Sequence, residues 1–306
     1  MMPLTLFSPS GVVVEPRSLR LAAQRLAALG FAPQIDASAR ARAQRFAGDD
    51  TLRLAALHRV AREAPSVAMA TRGGYGLTRL LDAIDWALVA RSVEQGTRWV
   101  GHSDLTALQL GLLAHAGRRV TWAGPMACYD FGRGREEHGE AAVEPVDEVT
   151  RDCFVEAMHG QLHAVGFRTA PGCDGLAARG TLWGGNLCMV ASLLGTRHWP
   201  RIQGGVLFLE DVNEHPYRVE RMLLQLHQAG VLDAQKAVLL GAFSDWRASP
   251  NDRGYGLQHA IAHLRGVTRT PLLTGLPFGH VPTKVCLPVG ARVELAVQGR
   301  EVLLGW

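Results

Sequence analysis

Trp99-Val100-Gly101-His102-Ser103-Asp104-Leu105-Thr106-Ala107-Leu108 reads as a short strand, a sharp turn and the opening of a helix that continues to about Ala116. The same unit recurs on either side of it. Val120 to Trp122 supplies the next strand. Upstream, a strand at Val67 to Ala70 meets Gly73-Gly74-Tyr75-Gly76 and a helical pattern through Leu77, Leu80, Leu81, Ile84 and Leu88. Earlier still, a strand at Leu4 to Phe7 leads to a helix that Pro16 opens and Gly30 closes, with Leu19, Leu26 and Leu29 on its core face. Another helix covers about Thr51 to Glu63. This β-α-β-α rhythm implies a parallel sheet with helices on both faces.

Beyond Phe131 the pattern loosens. Gly132-Arg133-Gly134-Arg135-Glu136-Glu137-His138 is polar and turn-rich, so residues 131–180 read as a linker region with one helix near 148–165. The second half is more mixed. Val206 to Leu209 is a buried strand, Pro216 to Ala229 an amphipathic helix, and Ala237 to Phe243 another strand. Val293 to Val297 and Val302 to Leu304 form a hairpin across Gln298-Gly299-Arg300. Two α/β-type domains follow, at 1–130 and 181–306.

Composition agrees with that reading. A chain of 306 residues with 47% hydrophobic and 20% charged residues has ample material for folded cores, which excludes intrinsic disorder. The net charge is +4 and the pI about 9.0, yet only two of the 32 basic residues, Lys236 and Lys284, are lysines. The arginines alternate with acids and form no run, so the charge points to no nucleic-acid partner. Five dispersed cysteines, Cys128, Cys153, Cys173, Cys188 and Cys286, read as reduced thiols of a cytoplasmic protein. The N-terminus lacks signal-peptide features and no apolar run reaches bilayer length, so neither export nor a membrane is expected.

The chemistry-bearing positions lie at strand-to-helix turns. Ser103 sits where following backbone N–H groups and a helix dipole can hold an oxyanion. The usual elbow is G-x-S-x-G, and Leu105 replaces its last glycine, so on the bare motif Ser103 fits a helix N-cap better. The Gly73-Gly74-Tyr75-Gly76 turn could approach a ligand closely, but it is neither a dinucleotide fingerprint nor a Walker loop. Both turns fall at strand C-termini, the edge where open α/β sheets place their sites. A serine nucleophile needs a base and a group to orient it. Of 12 histidines, His102 adjoins Ser103 but projects elsewhere, and His159 and His163 share an i,i+4 spacing without the Glu of a zinc helix. His280 sits in the rigid loop Leu276-Pro277-Phe278-Gly279-His280-Val281-Pro282. Glu210 and Asp211 end an apolar strand and alternate to opposite faces, so only one would be the orienter. The residues alone do not choose between them.

Taken in order along the chain, these segments resemble the serine LD-carboxypeptidases, the muramoyltetrapeptide carboxypeptidases of murein recycling. The resemblance is carried by Arg72-Gly73-Gly74-Tyr75-Gly76, Gly101-His102-Ser103-Asp104-Leu105-Thr106-Ala107-Leu108, Gly124-Pro125-Met126 and Gly184-Gly185-Asn186-Leu187. Leu209-Glu210-Asp211-Val212-Asn213-Glu214-His215-Pro216-Tyr217 and Gly279-His280 with Pro282 and Lys284 complete it. It implies an N-terminal Rossmann-like domain carrying Ser103 and a smaller C-terminal mixed α/β domain carrying Glu210 and His280, with the site in the cleft between them. Ser103 would be the nucleophile, His280 the general base and Glu210 its orienter. Gly74 and Asp104 would donate the oxyanion-hole N–H groups, and Arg72, Tyr75, His102 and Asn186 would be substrate-binding positions. No metal or organic cofactor is implied. The implied substrate is a murein tetrapeptide, free or sugar-linked, and the implied assembly is a homodimer. One departure is His102, where the family more often has an aromatic residue, which bears on the shape or polarity of the adjoining pocket.

Two other functions share these residues. The scaffold also resembles immunity-type peptidases that cleave peptide-nucleotide antibiotics, and a non-catalytic binder of murein peptides could keep the cleft. The complete Ser103, Glu210 and His280 set argues against the binder.

Overall fold

The apolar strands of the first half pair side by side in the computed structural model of the chain, which describes residues 1–133 and 144–306 and, between them, only the backbone of two short strands. Gly134 and His138 of the expected linker lie outside the described residues. In order come β1 (Met2–Phe7), α1 (Pro16–Ala28), β2 (Phe31–Ile35), α2 (Asp50–Glu63), β3 (Val67–Ala70), α3 (Trp86–Glu94), β4 (Arg98–Gly101), α4 (Leu105–Ala116) and β5 (Thr121–Ala123). Strands β2, β1, β3, β4 and β5 lie parallel in that spatial order. All four residues of β3 are buried, as a strand covered on both faces requires.

The second half builds a second sheet. Its elements are a small hairpin β6 (Arg135–Glu137) and β7 (Glu140–Ala142), then α5 (Glu148–His159), β8 (Ala164–Arg168), β9 (Ala177–Asn186), α6 (Leu187–Leu193) and β10 (Val206–Val212). There follow α7 (Pro216–Gln228), β11 (Ala237–Ser244), α8 (Leu257–Val267), β12 (Leu272–Thr274), β13 (Leu287–Val289), β14 (Arg292–Gln298) and β15 (Glu301–Gly305). The sheet order is β12-β11-β10-β9-β14-β15-β8, parallel on the β12 side and antiparallel beyond β9. The architecture is mixed α/β with two sheets, as the sequence implied.

Three expectations need correction, and one strand was not foreseen. The segment 131–180 is no mere linker, since it supplies α5, β8 and the start of β9. Helix α5 stops at His159 because Gly160 turns left-handed, and Ala164–Arg168 then alternates exposed and buried as a strand. His159 and His163 therefore share no helix face. The pattern from Leu77 to Leu88 is also broken: a single 3₁₀ turn at Leu77–Arg79 precedes α3, whose start is fixed by the Asp85 carboxylate accepting from the Leu88 N–H at 2.9 Å. Finally, β13 crosses back to pair antiparallel with β5 at the edge of the first sheet.

The two sheets share one continuous apolar core. Close packing of α4 on the second sheet is what places the site. Gly185, at φ +131°, brings the β9 backbone so near α4 that a Cβ there would lie 2.5 Å from the Thr106 Oγ1. Thr106 Oγ1 in turn accepts from the Asn186 N–H at 3.1 Å.

Candidate active site

Between β4 and α4 the chain turns through Ser103 at φ 61°, a left-handed conformation that a non-glycine residue holds only when its surroundings compel it. The surroundings are visible. Gly73 lies against Ser103 so closely that a Cβ on it would fall 2.6 Å from both Cβ and Oγ of the serine, and 3.4 Å from the Asp104 nitrogen. The Gly73 carbonyl accepts from the Gly11 N–H at 3.1 Å, tying the glycine turn to the β1–α1 loop. Asp104 anchors the turn from beneath. Its buried carboxylate accepts from Ser10 Oγ at 2.6 Å and from the Leu77 N–H at 2.8 Å, and burial lifts its pKa. The fully buried Arg53 reinforces the loop by donating to the Pro9 carbonyl at 2.8 Å. Gly73 thus brings the glycine turn against both Ser103 and the Asp104 nitrogen, while Gly74 next to it is exposed and packs on Gly11.

The partner groups come from the second sheet. Glu210 lies near the end of β10 with no solvent exposure, and its Oε2 accepts from Nδ1 of His280 at 2.8 Å. With Nδ1 donating, Nε2 of His280 keeps the lone pair that a base requires. The His280 loop is held at its backbone: the His280 carbonyl accepts from Ser244 Oγ at 3.2 Å and from the Tyr129 hydroxyl at 3.3 Å. Gly279, at φ +141°, allows the approach, since a Cβ there would stand 3.3 Å from the Glu210 Cβ.

Asn186 binds the two carboxylates together, its Nδ2 donating to Glu210 Oε1 at 3.2 Å and to Asp211 Oδ1 at 2.9 Å. Asp211 serves a different end, accepting from the Cys188 N–H at 2.9 Å in the first turn of α6. Burial, with Glu210 nearby, pushes its carboxyl up to about 6. Glu210 therefore faces the histidine and Asp211 the helix. The route from Thr106 of α4 through Asn186 and Glu210 to His280 is continuous in hydrogen bonds.

His102, the chain neighbour of Ser103, is the residue that packs on His280. The His102 ring is 1% exposed and stands edge-on to His280 with ring centres 4.8 Å apart. Among the described residues no direct Ser103–His280 hydrogen bond is formed. His102 Nδ1 donates to the Gly124 carbonyl at 2.8 Å, while its buried Nε2 has no partner. Burial holds this imidazole well below the usual histidine range, with the charges of His280 and Lys284 adding to the effect.

The remaining positions divide. Tyr75 is exposed on the rim, near Phe46 and Arg45. Arg72 is half-buried beside the glycine turn. Asn186 is 6% exposed, with its amide committed to Glu210, Asp211 and the Met189 N–H. Sequence reasoning missed the buried ion pair of Lys284 with Asp130, beside Tyr129. A lysine among apolar residues, in a chain with only two, was the available signal. Among the described residues no group of three or more His, Cys, Asp or Glu side chains is placed to hold a metal ion, and no helix is long and apolar enough to cross a membrane.

Residues 4–124 match the LD-carboxypeptidase N-terminal domain, and residues 179–295 the LD-carboxypeptidase C-terminal domain. The chain belongs to the LD-carboxypeptidase family. It is a serine-type carboxypeptidase by that membership. It is 28% identical over 284 residues to a probable murein peptide carboxypeptidase of Bacillus subtilis, covering 92% of this chain and 85% of that one. The crystal structure of a muramoyltetrapeptide carboxypeptidase from Oxalobacter formigenes superposes with a TM-score of 0.86 at 38% identity, over 99% of this chain and 97% of that one. The structure of MccF in complex with glutamyl sulfamoyl guanosine shares the fold at 19% identity, with a TM-score of 0.85 over 100% of this chain and 96% of that one. The LD-carboxypeptidase scaffold thus spans the whole chain, with Ser103 in one matched segment and Glu210 and His280 in the other.

Proposed function

We propose that this LD-carboxypeptidase hydrolyses the bond between an L-centred residue and the terminal D-alanine of a murein tetrapeptide, free or sugar-linked. The carrying observation is the Glu210–His280 pair at 2.8 Å, with His280 packed on His102, the chain neighbour of a serine in a left-handed turn. In this reading residues 1–130 bring the nucleophile and residues 181–306 bring its base and orienter, so neither unit is catalytic alone.

His280 Nε2 takes the proton from Ser103 Oγ, which attacks the scissile carbonyl carbon. The negative charge that develops on the carbonyl oxygen is received by the Gly74 and Asp104 N–H groups, each worth roughly 3 kcal/mol in comparable sites. Glu210 fixes the histidine tautomer and stabilises the imidazolium. His280 then gives the proton to the departing amine of D-alanine, and water, deprotonated by the same imidazole, hydrolyses the ester on Ser103. The five cysteines, all unpaired, fit action in the reducing cytoplasm, and the family resemblance carries a homodimer. Release of D-alanine from a purified tetrapeptide by the wild-type protein, lost in Ser103→Ala, tests the reaction; turnover by that variant would refute it. A panel that adds a peptide-nucleotide substrate separates this reading from the immunity-type one.

A further inference from the structure

A cavity of about 250 Å³ opens beside the glycine turn, walled by Val13, Val14, Ser18, Arg72, Tyr129 and Arg133. Two of its walls continue directly into the candidate active site. Arg72 precedes Gly73, the residue packed on Ser103, and its Nη2 would lie 3.9 Å from a Cβ on Gly74. Tyr129 donates its hydroxyl to the His280 carbonyl, and its ring centre is 5.9 Å from that of His280.

The cavity is apolar in much of its lining but carries two guanidinium groups. Arg72 Nη1 donates to the Val12 carbonyl at 3.0 Å, and Arg133 lies over the Tyr129 ring with its guanidinium carbon 4.3 Å from the ring centre. Among the described residues neither arginine forms an ion pair with a carboxylate. Glu15, also at the cavity, pairs with Arg17 instead. Two half-buried cations facing one space, held by a carbonyl and a ring and not by an acid, make a receptor for an anion of planar, forked geometry.

Resting on the reaction proposed above, we propose that this cavity is the subsite for the terminal carboxylate of the substrate, held by Arg72 and Arg133. The D-alanine carboxylate lies a single residue beyond the carbonyl that Ser103 attacks. Its receptor must therefore adjoin the oxyanion turn, as Arg72 does. An unpaired cation pair there also explains how an enzyme of this kind would select a chain end: an internal peptide bond offers no charge to neutralise the two guanidiniums.

The test is calorimetric binding of a murein tetrapeptide and of its C-terminal carboxamide to Ser103→Ala protein, which cannot turn either over. The free acid is expected to bind about tenfold or more tightly than the amide, the worth of a charge-assisted hydrogen bond. Arg72→Gln and Arg133→Gln on that background should shrink the preference, and Arg133→Lys should retain part of it. Equal affinity for acid and amide, or a preference that survives both Gln substitutions, overturns the subsite. D-alanine release by wild-type protein is measured separately. No release alongside an intact acid preference overturns the reaction and leaves the carboxylate subsite standing.

Discussion

Nδ1 of His280 stands 2.8 Å from Oε2 of Glu210, a carboxylate without solvent exposure whose other oxygen is held by Asn186. This geometry commits the Nδ1 proton and leaves Nε2 free to accept. Glu210→Gln keeps the size of the side chain, but its amide can present a donor to Nδ1 and favour the wrong tautomer. We expect kcat for D-alanine release to fall by about 10²–10⁴ with KM little changed. Steady-state kinetics with circular dichroism to confirm the fold would check it, and a fall of less than threefold would remove Glu210 from the mechanism.

Ser103 is strained where it stands, at φ 61°. Glycine adopts this conformation without a Cβ penalty, whereas alanine keeps the penalty. Both Ser103→Gly and Ser103→Ala should be inactive, yet the glycine variant should be the more stable by about 1 kcal/mol. Urea unfolding of the pair reads this directly. An alanine variant at least as stable as the glycine one would show that the turn stores no strain at this residue.

Much of this site was legible in the sequence, because strand-to-helix turns leave local marks. Gly73 and Ser103 announced themselves through glycine and serine placed after apolar strands. What stayed hidden depends on contacts distant in sequence. Strict alternation separates Glu210 from Asp211 but does not say which one meets the histidine. That choice is made by the His280 loop and by Asn186, whose single amide reaches both carboxylates, with a register irregularity between Leu209 and Asp211. Likewise Leu287–Val289 carries no local sign that it will close the edge of a sheet begun at Met2. The break before α3 was readable in principle, since Asp85 is a good N-cap, but the leucines at helical spacing around it masked the stop.

Lys284 has no solvent exposure and pairs with Asp130, which itself accepts from the Met126 N–H at 2.7 Å. Its Nζ also donates to the Val281 carbonyl at 2.6 Å, one residue beyond His280. Lys284→Met would strand a buried carboxylate at a cost of about 3–5 kcal/mol, whereas a buried pair replaced whole is far cheaper. The double variant Lys284→Met with Asp130→Leu is therefore expected to recover most of the lost stability. A double-mutant cycle in urea measures the coupling, and additive losses would mean that the two side chains act independently.

His102 is buried as a neutral ring, its pKa held well below the usual range mainly by desolvation. In the unfolded chain the same imidazole titrates near 6.5. Between that value and the lower folded one, the unfolded state binds the extra proton, so stability falls as the pH falls. Each pH unit in this window costs about 1.4 kcal/mol. His102→Phe fills the space with a ring that does not titrate. The other ionisable groups are common to both proteins and largely cancel in the comparison. At pH 7 the variant gives up the hydrogen bond to the Gly124 carbonyl but also the unpartnered Nε2, so its stability should lie within about 1–2 kcal/mol of wild type. On moving to pH 5 the comparison should shift further in favour of the variant. Denaturant midpoints at the two pH values supply both comparisons. Parallel losses in the two proteins would mean that His102 takes up its proton inside the fold, next to His280, and that the ring beside the proposed base is not held neutral.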